Sequence, residues 1–377
     1  MARVLCVLYD DPVASRPGDD ARGAIANIGL YPDGQTLPSP ATVDFLPGEL
    51  LGDLSGRLGL AQFLAERGHT LTVTSQQDGP DSAFERALPE AEIVISQACW
   101  PACLSAERIA KAHNLKLVIT AGVGSDHIDL EAAAKRGITV AEITYSSSVS
   151  AAEYAVMLIL SLVHNVAPAS DQSAWRDRKI ADYAARAYDL EGMRVGIVGA
   201  GRAGFAVLRR LRPFDVRLHY TDPRRLPLAV ENQLGLTYHS CTEAMLPSCD
   251  VVTIHSPLNT GTARLFDADM IARMKRGAYL VNTARGGICD PVAVADGLKT
   301  GRLAGYAADI DGQPFPAGVP VHIAGASLSA QARYAAGTRE VLECWFDGAP
   351  IRDDYLIVDR GNLTRLGKLS YGGVAGR

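Results

Sequence analysis

Short apolar runs of strand length alternate with helical patterns along the first part of the chain. The runs lie at residues 2–9, 70–73, 93–96, 115–120 and 138–143. Apolar residues at helical spacing lie between them, at 52–67, 82–88, 104–113 and 129–136. Alternation of this kind is typical of βαβ units, so it predicts a parallel sheet and one α/β domain over the first ~145 residues.

A second series of the same kind follows a strongly apolar helix, predicted over residues 148–166. Ser147 or Ser148 is suited to cap this helix, and apolar residues on most of its faces predict burial. Further strands are predicted at 195–198, 216–220, 251–255, 279–283, 304–308 and 319–323. A last helix at 329–346 and an extended tail at 351–358 remain. Because a returning C-terminal helix usually completes the first domain, we expect that domain to be discontinuous.

Composition narrows the class of protein without identifying it. The 377 residues suffice for two domains, and 47% hydrophobic and 21% charged residues are ordinary for a soluble globular protein. A net charge of −5 gives no reason to expect a nucleic acid or an anionic membrane as partner. The seven cysteines include no CxxC pair, so no metal site is predicted, and the most apolar segment is too short to span a bilayer. We therefore expect a cytoplasmic protein.

One glycine-rich turn carries a specific signal for a dinucleotide. Gly199, Gly201 and Gly204 form a GxGxxG pattern between a predicted strand and a predicted helix, and Asp222 closes the next apolar run. The first glycine permits the tight turn, the second lets the backbone approach a pyrophosphate, and the third lets the helix lie close to the strand. Asp222 can accept both ribose hydroxyls and would repel a 2′-phosphate. This favours NAD over NADP. The arginines at 224–225 could bind a 2′-phosphate, so NADP is not excluded as a cofactor.

Polar residues follow three of the later strands, at the sheet edge where open α/β proteins bind their ligands. They lie in the stretches 282–286, 307–314 and 321–325. Arg285 is suited to pair bidentately with a carboxylate, and His322 to hold or deprotonate a substrate. Next to a nicotinamide site, these residue types predict the oxidation of a small anion.

The order of predicted elements and motifs resembles the D-2-hydroxyacid dehydrogenase superfamily. Within it, several sequence segments, spread from one end of the chain to the other, resemble NAD-dependent formate dehydrogenases. They are VLYDDP at 7–12, AGVGSDH at 121–127, TARG at 283–286, AQARYAAGTR at 330–339 and PIRDDYLIV at 350–358. The resemblance implies two doubly wound α/β domains: a flavodoxin-like catalytic domain (1–147 and 335–377) and a Rossmann NAD-binding domain (148–334). It also implies a homodimer that oxidises formate by direct hydride transfer to NAD, without a metal.

The resemblance also implies roles residue by residue. Arg285 would bind and orient the substrate carboxylate, and His322 would sit beside the nicotinamide, paired with Gln313. Val123 and Gly124 would bring backbone against the substrate. Around the cofactor, the implied contacts are Arg202 and Ala203 at the pyrophosphate, Asp222 at the adenosine ribose, Asp309 at the nicotinamide carboxamide, and Pro257, Thr283 and Gly325 along the groove.

The substrate pocket departs from the family pattern. The pocket asparagine of the family falls at Ser147, and its proline-phenylalanine pair on the substrate wall becomes Ala98-Cys99. The segment between Asp309 and His322 is also shorter than the resemblance leads one to expect. These changes widen the pocket, make it less apolar and remove an amide donor.

The competing hypotheses depend on which side chain partners the histidine. Formate loses only a hydride on oxidation and needs no general base, so a neutral Gln313 beside His322 suits it. Hydroxyacid dehydrogenases instead pair the histidine with a carboxylate, a place that Asp311 could take. Formate is therefore the predicted substrate, with a 2-hydroxy acid, hydroxymethylphosphonate or phosphite as alternatives. An NADH-sensing, corepressor-type binding protein is a hypothesis of a different class.

Overall fold

The computed structural model describes residues 1–8, 60–97, 101–166, 186–309 and 323–371, apart from the side chains of residues 328, 332 and 369. Its strands are β1 (Arg3–Val7), β2 (Thr70–Thr74), β3 (Ile93–Ser96), β4 (Leu117–Thr120), β5 (Thr139–Glu142), β6 (Arg194–Val198), β7 (Arg217–Thr221), β8 (Leu236–His239), β9 (Val251–Ile254), β10 (Ala278–Asn282), β11 (Leu303–Ala308), β12 (Leu356–Asp359) and β13 (Asn362–Leu363). Its α-helices are α1 (Leu60–Glu66), α2 (Ala83–Ala87), α3 (Ala106–Lys111), α4 (Leu130–Lys135), α5 (Ser148–Val163), α6 (Arg202–Leu211), α7 (Leu228–Leu234), α8 (Thr242–Met245), α9 (Ala268–Arg273), α10 (Pro291–Lys299), α11 (Leu328–Asp347) and α12 (Arg365–Ser370).

The chain forms two compact units. One comprises Met1–Ser147 together with Ala326–Gly372, and the other contains Ser148–Gly325. The chain therefore returns to the first unit at Ala326, before α11, whereas the predicted boundary was at residue 335. The physical reason is packing: Val341 and Leu342 of α11 are buried in the core of the first unit, against residues of its sheet such as Leu117 and Ile119.

The sheet of the first unit has the strand order β13-β12-β5-β4-β3-β1-β2. Strands β1 to β5 pair in parallel in the flavodoxin-like order 2-1-3-4-5, and β12 joins antiparallel to β5. Side chains of β4 point alternately to the two faces of the sheet. Val118 packs in the hydrophobic core on one face, and Leu117 and Ile119 pack in the core on the other. The strands read as continuous apolar runs because both faces of the parallel sheet are covered.

The sheet of the second unit has the order β11-β10-β9-β6-β7-β8, with every pair parallel. Counted from β6, this is the doubly wound order 3-2-1-4-5-6 of Rossmann domains, whose topological switch point lies between β6 and β9. Helix α5 packs on the sheet near β10 and β11, with Ala152, Ala155 and Ile159 fully buried. The carboxyl ends of all six strands lie along one edge.

The predicted fold class, two parallel α/β sheets including a Rossmann domain, is confirmed. Differences are local. Strand β8 was not among the predicted strands, because none of its residues is fully buried and they form no clear apolar run. The strand predicted at 319–323 lies outside the described residues except for Ile323, which is not in a strand. Across the ranges that the structure describes, no helix combines the length and the apolarity that a bilayer crossing requires.

Candidate active site

Three glycines after β6 make three different backbone contacts. Gly199 has φ +90°, and a Cβ there would lie 2.7 Å from Ser256 Oγ, so both conformation and space require glycine. At Gly204 a Cβ would lie 1.9 Å from the carbonyl oxygen of Gly199, so α6 touches the strand end directly. At Gly201 a Cβ would meet nothing within 4 Å. The turn is therefore tight at its first and third glycines and open at the second.

The open space above Gly201 lies at the amino end of α6. Seven other helices begin with a Ser, Thr or Asp side chain that accepts a first-turn N–H, but the N-cap of α6 is Gly201, which has no side chain for this purpose. Arg202 and Ala203, both partly buried, form the first turn. First-turn N–H groups and the positive end of the helix dipole are suited to a pyrophosphate.

Asp222 follows β7 at the same edge of the sheet. Its Oδ2 accepts the N–H of Ala200 at 2.9 Å, and its Oδ1 accepts the N–H of Arg224 at 2.8 Å. These bonds fix the carboxylate against the glycine turn. A carboxylate has about four lone-pair sites, so two remain for ribose hydroxyls.

The ends of β9 and β10 bring His255 and Thr283 together. The Nδ1 of His255 lies 3.4 Å from Thr283 Oγ1, and its Nε2 lies 2.9 Å from Thr253 Oγ1. Burial lowers the pKa of His255 to about 4, so the ring is neutral at physiological pH. Pro257 is exposed two residues later, and its carbonyl accepts the Thr262 hydroxyl at 2.5 Å.

Arg285 lies in a turn shaped by Asn282, the last residue of β10. The fully buried Asn282 side chain accepts the N–H of Ala284 at 3.0 Å and donates to the carbonyl of Arg285 at 3.0 Å. Arg285 is partly buried, and its Nη1 donates to the carbonyl of Ala284 at 2.9 Å. The amide thus fixes the backbone from which the guanidinium extends.

Asp309 follows β11 and is 5% exposed. Its Oδ1 accepts the N–H of Ile323 at 2.8 Å, and its Oδ2 accepts the N–H of Ala324 at 2.7 Å. The carboxylate therefore anchors the segment that ends at Gly325. A hydrogen bond from the Asp309 N–H to the carbonyl of Asn282 ties this strand end to the previous one.

In the first unit, the candidate substrate residues Val123 and Gly124 lie in the loop after β4. Gly122 and Gly124 have φ values of +151° and +120°, a conformation that glycine tolerates, and they flank the partly buried Val123. The loop is closed by Ser125, whose N–H donates to the Tyr371 hydroxyl at 2.7 Å and whose own hydroxyl donates to Glu142 at 3.0 Å. The Tyr371 hydroxyl in turn donates to Glu142 at 2.7 Å.

Ser147 lies in the turn directly before α5. The turn is held on one side by Arg333, whose Nε donates to the carbonyl of Ser146 at 2.7 Å. On the other side the Ser146 hydroxyl donates to the carbonyl of Ile143 at 2.5 Å. Tyr145, 9% exposed, has φ +71°, which an L-residue adopts only when its surroundings fix it. Ser147 is thus presented from a rigid turn.

Five predicted residues fall outside the described ranges. They are Ala98, Cys99, Asp311, Gln313 and His322. Among the residues that are described, no cluster of three or more His, Cys, Asp or Glu side chains is arranged to hold a metal ion. The described candidate residues of the second unit lie beyond the carboxyl ends of its parallel strands, the edge at which doubly wound sheets bind their ligands.

Comparison with known proteins decides the family. Residues 156–324 match the family model of the D-isomer specific 2-hydroxyacid dehydrogenase, NAD binding domain. The formate dehydrogenase of Pseudomonas sp. (strain 101) is 56% identical over 98% of this chain and 95% of its own. The chain belongs to the formate dehydrogenase family.

Solved structures of formate dehydrogenases agree over the whole length. The Granulicella m. formate dehydrogenase is 56% identical with a TM-score of 0.88, covering 96% of this chain and 100% of that chain. The NAD-dependent formate dehydrogenase from Staphylococcus aureus, solved in complex with NAD, is 34% identical with a TM-score of 0.76, covering 95% and 99%. NAD is the cofactor of this formate dehydrogenase family member.

The residues predicted from sequence did not include the polar side chains that hold the candidate site residues in place. Glu142 and Tyr371 support the Val123–Gly124 loop, Arg333 supports the turn before Ser147, and Asn282 supports Arg285. For Glu142 the available signal was an acidic residue within the apolar run at 138–143. For Tyr371 no local signal exists, because its partners lie more than 200 residues earlier.

Proposed function

We propose that this protein catalyses HCOO⁻ + NAD⁺ → CO₂ + NADH by direct hydride transfer. The observation that carries the proposal is the end-to-end relation to formate dehydrogenases, at 56% identity over 98% of the chain. The likeness to dehydrogenases of larger hydroxy acids is weaker, for example 24% identity to a D-lactate dehydrogenase structure. Formate is therefore favoured over the alternative anions.

The second unit is proposed as the cofactor domain and the first as the substrate domain. The first-turn N–H groups of α6, at Arg202 and Ala203, would hold the pyrophosphate above Gly201, and Asp222 would accept the ribose hydroxyls. Pro257, Thr283 and Gly325 would line the groove for the rest of the dinucleotide. The nicotinamide supplies the hydride acceptor when bound.

Asp309 is proposed to bind the nicotinamide carboxamide. Its two oxygens already accept the N–H groups of Ile323 and Ala324, and a carboxylate retains lone pairs beyond these two bonds. The same bonds position the residues directly after His322. Asp309 would therefore serve both cofactor orientation and the placement of the histidine segment.

Arg285 is proposed to bind and orient formate. The guanidinium carries five donors in a planar fork that matches a carboxylate, and Asn282 fixes the backbone that presents it. Orientation is the main requirement because formate loses only its hydride and no proton is removed. Val123 and Gly124 would present backbone to the substrate, with Ser147 in place of the family asparagine. His322 with Gln313 would complete the set.

Two further properties are proposed from the resemblance: a homodimer and a cytoplasmic location. The six cysteines at described positions are all free thiols, which agrees with a reducing compartment. Light scattering of the purified protein tests the dimer, and a monomer at micromolar concentration would contradict it.

The test of the function is an anion screen with purified protein and NAD⁺, in which NADH formation from formate is compared with glycerate, lactate, phosphite and hydroxymethylphosphonate. We expect turnover of formate and little of the others. Arg285→Ala should lower kcat/KM for formate by about 100-fold or more, and Arg273→Ala, an exposed arginine at the end of α9, serves as matched control. Turnover of a larger anion without formate turnover would refute the proposal.

A further inference from the structure

The turn after Asp222 is held by a buried carboxylate. Glu231, on α7, is 5% exposed and accepts from Arg225 at both oxygens, from Nε at 2.9 Å and from Nη2 at 2.8 Å. The Tyr220 hydroxyl, two residues before Asp222 on β7, donates to Glu231 at 2.5 Å. The same hydroxyl accepts the N–H of Leu226 at 2.9 Å. Glu231 thus organises the whole turn.

The charge of Glu231 follows from its hydrogen-bond partners. The hydrogen bonds from Arg225 and then from Tyr220 lower the pKa of Glu231 to about 2, so the carboxylate is ionised. The Arg225 guanidinium also lies over the ring of Tyr238, 5.0 Å from its centroid. A bidentate ion pair and a cation–π contact together fix the plane and position of the guanidinium.

This arrangement decides which arginine can meet a 2′-phosphate. Rossmann domains that accept NADP place an arginine near the acid at the end of the second strand. Here Arg224 and Arg225 are both exposed. Arg224 donates its backbone N–H to Asp222, whereas the Arg225 guanidinium is paired with the buried Glu231 carboxylate. Turning Arg225 toward a phosphate would leave a buried carboxylate without its cation, which is strongly unfavourable.

We propose that Glu231 is a specificity-determining positioning residue, which withholds Arg225 from the 2′-phosphate of NADP. Discrimination against NADP then has two parts. Asp222 repels the phosphate, and Glu231 removes a cation that would offset the repulsion. The inference rests on the proposed use of the Asp222 site for the adenosine ribose.

The test is equilibrium binding of NADH and NADPH to the full-length protein and to Glu231→Gln. Glutamine keeps the size and can still accept from Tyr220, but it no longer neutralises Arg225. We expect the Kd for NADPH to fall on the order of tenfold, as one charge-assisted contact allows, while the Kd for NADH changes by less than about twofold. In turnover, KM for NADP⁺ should fall while kcat stays within about twofold.

The double variant Glu231→Gln with Arg225→Gln is the matched control, because it removes the released cation and should restore the wild-type ratio of the two Kd values. Equal weakening of both dinucleotides in Glu231→Gln, or tighter NADPH binding that persists in the double variant, would overturn the inference. If thermal unfolding shows that Glu231→Gln does not fold, Glu231→Asp decides. The carboxylate of the shorter aspartate keeps its charge but lies too far back to hold both Arg225 donors. Loosening the guanidinium in this way should shift the ratio in the same direction, and no shift overturns the inference. A wild-type protein that binds neither dinucleotide would instead refute the proposed function.

Discussion

Two substitutions that each add one methyl group should separate cofactor binding from folding. In Gly204→Ala the new Cβ would lie 1.9 Å from the carbonyl oxygen of Gly199, whereas real Cβ atoms essentially never come closer than 3.0 Å to another heavy atom. The obstacle is backbone and cannot rotate away, so α6 has to move from the strand by about one ångström. Overpacking of this kind costs about 3 kcal/mol. For a domain of this size that lowers Tm by roughly 6 to 12 °C.

Gly201→Ala adds the same methyl group where nothing lies within 4 Å. Gly201 is extended, with φ −67° and ψ −158°, so alanine meets no positive-φ strain there. Alanine is a poorer N-cap than glycine by about 0.5 to 1 kcal/mol, and its lower entropy in the unfolded chain offsets about the same amount. Stability should therefore change by less than about 0.5 kcal/mol. The methyl group nevertheless stands where we place the pyrophosphate, so the Kd for NADH should rise by about tenfold or more.

The assay combines thermal unfolding of both variants, with and without NADH, and equilibrium binding of NADH. Wild-type protein and Gly201→Ala should unfold at the same temperature without NADH, and only the wild type should gain the full stabilisation from ligand. If Gly201→Ala binds NADH as tightly as the wild type, the pyrophosphate does not lie there. If it unfolds as early as Gly204→Ala, the two glycines do not have the separate roles that their surroundings indicate.

Three further predictions concern polar groups around the sites. Asp309→Asn leaves one of the two bound backbone N–H groups without an acceptor, so it should cost about 1 to 3 kcal/mol in unfolding titrations, and it should also raise KM for NAD⁺. An unchanged free energy of unfolding would contradict the anchoring role, and an unchanged KM would contradict the cofactor contact. Tyr371→Phe removes the hydroxyl between Ser125 and Glu142, and it should raise KM for formate and cost about 1 to 3 kcal/mol, whereas wild-type values for both would show that the loop is held otherwise. Burial lowers the pKa of His255 to about 4 from an unfolded value near 6.5, so the unfolded state binds the extra proton between these values and stability falls as pH decreases through that window. Denaturation from pH 7 to 4 should show a shallower fall for His255→Asn, and parallel curves would mean that the ring is already charged.

The parts of this fold that depend on local sequence pattern could be predicted from the sequence. Parallel strands buried on both faces appear as continuous apolar runs, as at Ile93–Ser96, and the three glycines after β6 follow a spacing with a direct steric meaning. The position of Asp222 beside the glycine turn could also be predicted, because an acidic residue at the end of the second strand has a fixed geometric relation to that turn. The roles of the substrate residues stay predictions.

What the sequence did not reveal depends on contacts between distant positions. Tyr371 reaches Ser125 and Glu142 across more than 200 residues, and no periodicity reports such a contact. The exact return of the chain to the first unit was likewise missed, because it depends on the packing of α11 and not on its amphipathic pattern. Asp309 was assigned a ligand contact by resemblance, whereas its backbone partners at Ile323 and Ala324 emerged only from the folded structure.

The most direct test of formate oxidation by hydride transfer uses deuterated formate. The purified protein is incubated with DCOO⁻ and NAD⁺ in ordinary water, and the NADH formed is analysed by proton NMR and mass spectrometry. We expect one deuterium at C4 of the nicotinamide in every NADH, with CO₂ released in equal amount. NADH that carries hydrogen from the solvent, or no NADH at all with formate while a larger anion reduces NAD⁺, would contradict it.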